Sequence, residues 1–121
     1  MTAFNEIDCR VVVTGIGIVS PVGLDTKTTW ENLLAGKSGI GQISSFDAEG
    51  FETTIAAEVK DLDPESYLGR KEARHMDRFV QLAVKATLEA KEHANVDVDF
   101  DNSERTSVMI ASGIGGIITL S

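Results

Sequence analysis

The chain has 121 residues, 42% of them hydrophobic and 25% charged, the balance of an ordinary globular domain and enough for one rather than two. Eleven Lys and Arg stand against 19 Asp and Glu, for a formal net charge of −8. That sign excludes a general nucleic-acid binder, because a phosphate backbone needs clustered cations over most of a face. The single cysteine, Cys9, cannot close an internal disulfide and points to a reducing compartment. The first ten residues hold three charges and no apolar run, and no stretch nears the ~20 apolar residues of a membrane span, so a soluble cytoplasmic protein is expected.

In chain order, Arg10-Val11-Val12-Val13-Thr14 is a β-branched run closed by Gly15 and predicts a buried strand. A glycine-punctuated apolar loop runs from Gly15 to Gly23. Asp25 or Thr26 then caps a short helix carrying Trp30, Leu33 and Leu34, which Gly36 ends. Residues 37–50 read as irregular, and a short strand is expected around Ile55 to Val59. Asp63-Pro64-Glu65 starts a helix, with Asp as cap and Pro at the first helical position, and Gly69 interrupts it. The longest predicted helix covers residues 70–93, with Met76, Phe79, Val80, Ala83, Val84 and Leu88 on one face. After an acidic turn over 95–101, residues 106–111 predict a second buried strand, followed by Ser112-Gly113-Ile114-Gly115-Gly116. Strands separated by helices imply an α/β fold with a buried, partly parallel sheet. The apolar run 117–121 has no closing helix, so the chain reads as cut.

Gly15-Ile16-Gly17 after a strand invites a dinucleotide-binding reading. That motif needs its glycines to open directly into a helix, with an acidic residue ~20 positions on. Here the helix begins only near Asp25, and the later region is the Trp30 helix. A tight loop in close backbone contact is the better account. The second cluster reads as a glycine turn on composition alone, with a pocket wall around Ile114 as the functional alternative.

Cys9, between Asp8 and Arg10, lacks the cationic setting of a reactive thiolate and reads as an inert thiol. His75 and His93 read as surface histidines, and no pair has metal-ligand spacing. No catalytic constellation and no metal site assemble. By contrast, Arg70, Lys71, Arg74 and Arg78 gather four cations within nine residues, with 70, 74 and 78 along one helical stripe opposite the apolar face. Such a face is either a solvated surface paired with Glu72 and Asp77 or a dock for an acidic partner.

Four segments together carry a resemblance. RVVVTGIGIVSPVG from Arg10 to Gly23, WENLLAGKSGI from Trp30 to Ile40, RKEARHMDRF from Arg70 to Phe79, and SGIGG from Ser112 to Gly116 resemble, in order, the opening of the β-ketoacyl-acyl-carrier-protein synthases, particularly the type II elongating enzymes. The resemblance implies residues 1–9 as an N-terminal extension and 10–121 as a partial ketoacyl-synthase domain. The fold implied is the incomplete N-terminal half of a thiolase-like α/β fold, five-layered and homodimeric in the complete enzyme. The activity implied belongs to fatty acid synthesis: decarboxylative Claisen condensation of an acyl-enzyme with malonyl-acyl-carrier protein, with no cofactor. A polyketide ketosynthase is a near neighbour with the same chemistry. A carrier-binding module that has lost the chemistry is the rival.

The residues that transfer are few. Ile114 matches the family's acyl-pocket isoleucine, which reverses the composition-only preference for a plain turn. Lys71 and Arg74 match basic positions that contact the acyl carrier protein, and His75 stands where another cation is common. Cys9 does not match the nucleophile motif, and neither histidine matches a family histidine motif. The 121 residues by themselves are therefore expected to lack condensing activity, and the uncovered apolar run at 117–121 is expected to make them fold poorly alone.

Overall fold

A computed structural model describes residues 10–97 and 103–116. Cys9 and the apolar run 117–121 lie outside the described residues. The elements in order are helix α1 (Thr26–Leu34), strands β1 (Ile40–Gln42) and β2 (Ile55–Ala57), helices α2 (Glu65–Leu68), α3 (Arg70–His75) and α4 (Arg78–Ala94), and a 3₁₀ turn at Ser103–Arg105.

Helix α1 starts where the sequence placed it. Asp25 is the cap: its Oδ1 accepts from the Thr28 amide at 2.7 Å and its Oδ2 from the Thr28 hydroxyl at 2.8 Å. These bonds, the backbone one foremost, lower the Asp25 carboxyl from its ordinary value. Thr29, buried at 4% exposure, donates from Oγ1 to Gly23 O at 3.2 Å, and Asn32 Nδ2 donates to Val22 O at 2.5 Å. The Ser20–Gly23 turn is thereby fastened to the helix it precedes.

The Gly15–Gly17 loop lies on α4. A Cβ on Gly17 would strike Ala86 O and come within 2.7 Å of Ala90 N; one on Gly15 would strike Ala90 O and sit 2.7 Å from Ala94 Cβ. The glycines are there for backbone contact, as the loop reading expected. Two side chains of α4 complete the fastening. Glu89 accepts from Ile18 N at 2.8 Å and from Thr26 N at 2.7 Å, and His93 Nδ1 accepts from Ile16 N at 3.1 Å. His93 is thus exposed, as expected, but not idle.

Three expectations are corrected. The long helix 70–93 is two helices: Met76 is extended (φ −102°, ψ 131°) and separates α3 from α4, so Met76 leaves the apolar face. Phe79, Val80, Ala83 and Val84 keep theirs on α4, half-buried. Residues 10–14 and 106–111 form no strand, and Val11 and Met109 are 93% and 95% exposed. Strand propensity specifies a surface to be covered, whereas a ladder needs a partner, and neither segment has one among the described residues. The sheet is antiparallel, not partly parallel. It pairs β2, where a strand was expected, with β1 inside the stretch read as irregular, in the register Ile40↔Ala57, Gly41↔Ala56, Gln42↔Ile55.

Beyond β1, Glu58 gathers the chain. Its carboxylate accepts from Ser44 N at 2.9 Å, Ser44 Oγ at 2.7 Å and Ser45 N at 3.0 Å. Hydrogen bonds from Ser45 and then Ser44 lower this carboxyl to about 2. Helix α2 begins at Glu65 with Pro64 as its cap residue, one position later than expected, and Asp63 Oδ1 accepts from Glu65 N at 3.0 Å. Gly69, at φ +76°, turns the chain between α2 and α3 in a conformation that favours glycine. At the far end, Asn95 adopts the left-handed conformation (φ 50°) and closes α4 with bonds to the Glu92 and Lys91 carbonyls.

Candidate functional site

Helix α3 carries the two cations singled out by the sequence. Ala73 is its buried residue, at 8% exposure, while Lys71 and Arg74 are exposed. Neither side chain makes an ion pair or hydrogen bond with any described residue; the described ion pair of the chain is Lys91–Asp97, at 2.9 Å on the surface. Lys71 and Arg74 are thus solvated without an ion pair to Glu72 or Asp77. Arg74 also borders an open depression of about 480 Å³ against the Asp61–Glu65 segment. The exposed cations stand out against a chain of −8 and can attract an acidic surface over a Debye length of about 8–10 Å.

The stripe through 70, 74 and 78 does not exist, because the break at Met76 puts Arg78 on another helix. Arg78 turns inward: its Nη2 donates to Val59 O at 3.1 Å and its Nη1 reaches Gln81 Oε1 at 3.4 Å. Gln81, which sequence reasoning passed over, sits where α2, α3 and α4 meet. Its Nε2 donates to Ala73 O at 2.9 Å and to Met76 O at 3.1 Å, and its own carbonyl accepts from Tyr67 Oη at 2.9 Å. Burial raises the Tyr67 phenol above its ordinary value. No spacing rule would have found Gln81, since its partners are backbone carbonyls exposed by a break that the apolar periodicity hides.

Ile114 lies far from α3 in sequence, in the turn where Gly115 has φ +77° and its amide donates to Ser112 Oγ at 2.9 Å. Its side chain is 77% exposed. The structure thus presents it on a surface, in a segment separate from the helix that carries Lys71 and Arg74. Among the described residues no three of His, Cys, Asp and Glu gather as a metal site, and no helix is long and apolar enough to cross a membrane.

Comparison with known proteins gives the family. Residues 8–120 match the family model described as Beta-ketoacyl synthase, N-terminal domain. The chain is 46% identical over 110 residues to 3-oxoacyl-[acyl-carrier-protein] synthase 2 of Staphylococcus aureus strain COL, covering 91% of this chain and 27% of that protein. It is 46% identical over 108 residues to the synthase of the same name from Vibrio cholerae, covering 89% and 26%. Among solved structures, the ishigamide ketosynthase/chain length factor superposes with a TM-score of 0.65 at 35% identity, over 71% of this chain and 21% of that one. The chain therefore spans about a quarter of the length of the relatives it matches. The fold expected from the sequence, the N-terminal part of a thiolase-like ketosynthase, is the one these comparisons give. By the four ordered segments, the model match and the shared fold, this chain belongs to the β-ketoacyl synthase family, within its N-terminal domain.

Proposed function

We propose that the chain is part of a 3-oxoacyl-acyl-carrier-protein synthase of the elongating kind, an acyltransferase of fatty acid biosynthesis that works in the cytoplasm as a homodimer. The observation that carries this reading is 46% identity, over nine-tenths of the chain, to relatives bearing that name. The reaction is the decarboxylative condensation of an acyl-enzyme with malonyl-acyl-carrier protein. Covalent capture of the acyl group splits a hard step into two, and an oxyanion site stabilises the thioester adduct.

Within that reaction the described residues bind rather than react. Residues 10–121 form part of the ketoacyl-synthase domain, after an extension at 1–9. Lys71 and Arg74 are the docking cations for the acidic acyl carrier protein, supported by their exposure and by their lack of partners among the described residues. Ile114 lines the acyl-chain tunnel, a role that suits an apolar side chain in a turn of small residues.

Condensation is the test. An enzyme containing this chain, supplied with acyl- and malonyl-loaded carrier protein, should release CO₂ and yield a 3-oxoacyl product two carbons longer. Ile114→Phe should shift its products to shorter chains, since the larger ring takes tunnel length from the acyl group. Carrier binding without condensation would contradict the synthase reading and leave a binding module.

A further inference from the structure

We infer that Gln81 is a positioning residue for carrier-protein docking, holding α3 in the orientation that presents Lys71 and Arg74; this rests on the docking reading above. Helix α3 has six residues, well short of the ~12–15 at which an isolated helix becomes stable in water. Its last carbonyls have no partner within the helix. One of them, Ala73 O, belongs to the residue beside Arg74 and two from Lys71. The Gln81 amide supplies N–H donors to Ala73 O and to Met76 O, the carbonyl of the residue that breaks the helix.

Gln81 is itself held from three directions. It stands in the first turns of the 17-residue α4, its own carbonyl accepts from Tyr67 Oη of α2, and its Oε1 faces Arg78, which is tied to Val59 O just beyond β2. A short helix is thus bolted to a long one through a neutral side chain that need not touch the partner. Fixing α3 before encounter removes an ordering cost that docking would otherwise bear.

The experiment measures the dissociation constant of acyl carrier protein across a salt series for the parent protein, Gln81→Glu, Gln81→Met and Lys71→Glu, with amide hydrogen exchange of α3 alongside. Gln81→Glu keeps the acceptor that faces Arg78 and loses the N–H donors. Both Gln81 variants should bind about five- to tenfold more weakly, and Gln81→Met, which changes no charge, should keep the parent's salt dependence. Their α3 amides should exchange faster while those of central α4 stay protected. Lys71→Glu should weaken binding and flatten the salt dependence.

Undiminished affinity in both Gln81 variants beside a loss in Lys71→Glu overturns the positioning role and leaves the docking reading standing. Undiminished affinity in Lys71→Glu overturns both. If a Gln81 variant loses its overall helix content, the parent decides: α3 amides that exchange as fast as in an unstructured peptide overturn the proposal, and marked protection supports it.

Discussion

Glu89 of α4 and Thr26 at the start of α1 lie 63 positions apart and are joined by a 2.7 Å hydrogen bond from the Thr26 amide to Glu89 Oε1. The other carboxylate oxygen takes the Ile18 amide at 2.8 Å. One side chain thus serves both a helix N-terminus, where a negative charge is favoured, and the loop leading to it.

Replacing Glu89 by Ala should destabilise the fold by about 1–3 kcal/mol, the cost of unpairing two amides from a charged acceptor, and Glu89→Gln should cost less. Burial works to raise this carboxyl, but the bonds from Thr26 and Ile18 outweigh it and leave it lowered from an ordinary value of 4.5. A carboxyl more acidic folded than unfolded stabilises fully above its unfolded value and loses that contribution as pH falls through the folded one. Urea denaturation below pH 4.5 should therefore narrow the gap between parent and Glu89→Ala.

Gly17→Ala tests the loop contact from the other side. A methyl group there has Ala86 O and Ala90 N in its place, so α4 must move away. The expected loss is about 1–3 kcal/mol, read as a lower urea midpoint at unchanged slope.

These two contacts also mark how far the sequence could be read. Gly15 and Gly17 announce a close approach, and Asp25 announces a cap, because each effect is local and tied to one residue type. Gly69 announces a break for the same reason. The break at Met76 stays hidden because Met76 continues the apolar periodicity of Phe79, Val80 and Ala83, which masks Asp77, the residue that precedes α4. The runs 10–14 and 106–111 show the converse: β-branched and apolar residues state a demand for pairing but do not supply the partner. β1 leaves little signal because Ile40-Gly41-Gln42 is short and weak in propensity, and its pairing depends on β2, farther along the chain. Lys71 and Arg74 stand out in the sequence as members of a basic cluster, whereas Gln81 does not, since backbone carbonyls leave no trace in sequence.

Glu58 offers a spectroscopic check on the β1–β2 region. Its carboxyl should titrate by NMR with a midpoint of about 2, and Ser45→Ala should raise that midpoint toward the ordinary 4.5, because hydrogen bonding from Ser45 is the largest cause of the depression. Any stability it contributes is lost as pH falls from 4.5 through about 2. A midpoint that Ser45→Ala leaves in place would mean the serine is not holding the carboxylate.

The most direct test of the account is the affinity of acyl carrier protein for this protein beside its Lys71→Glu/Arg74→Glu variant, measured from low to physiological ionic strength. The account predicts parent binding that weakens steeply with salt and a variant bound at least about tenfold more weakly at low salt, the loss shrinking as salt rises. Equal affinity of the two at every ionic strength would contradict it.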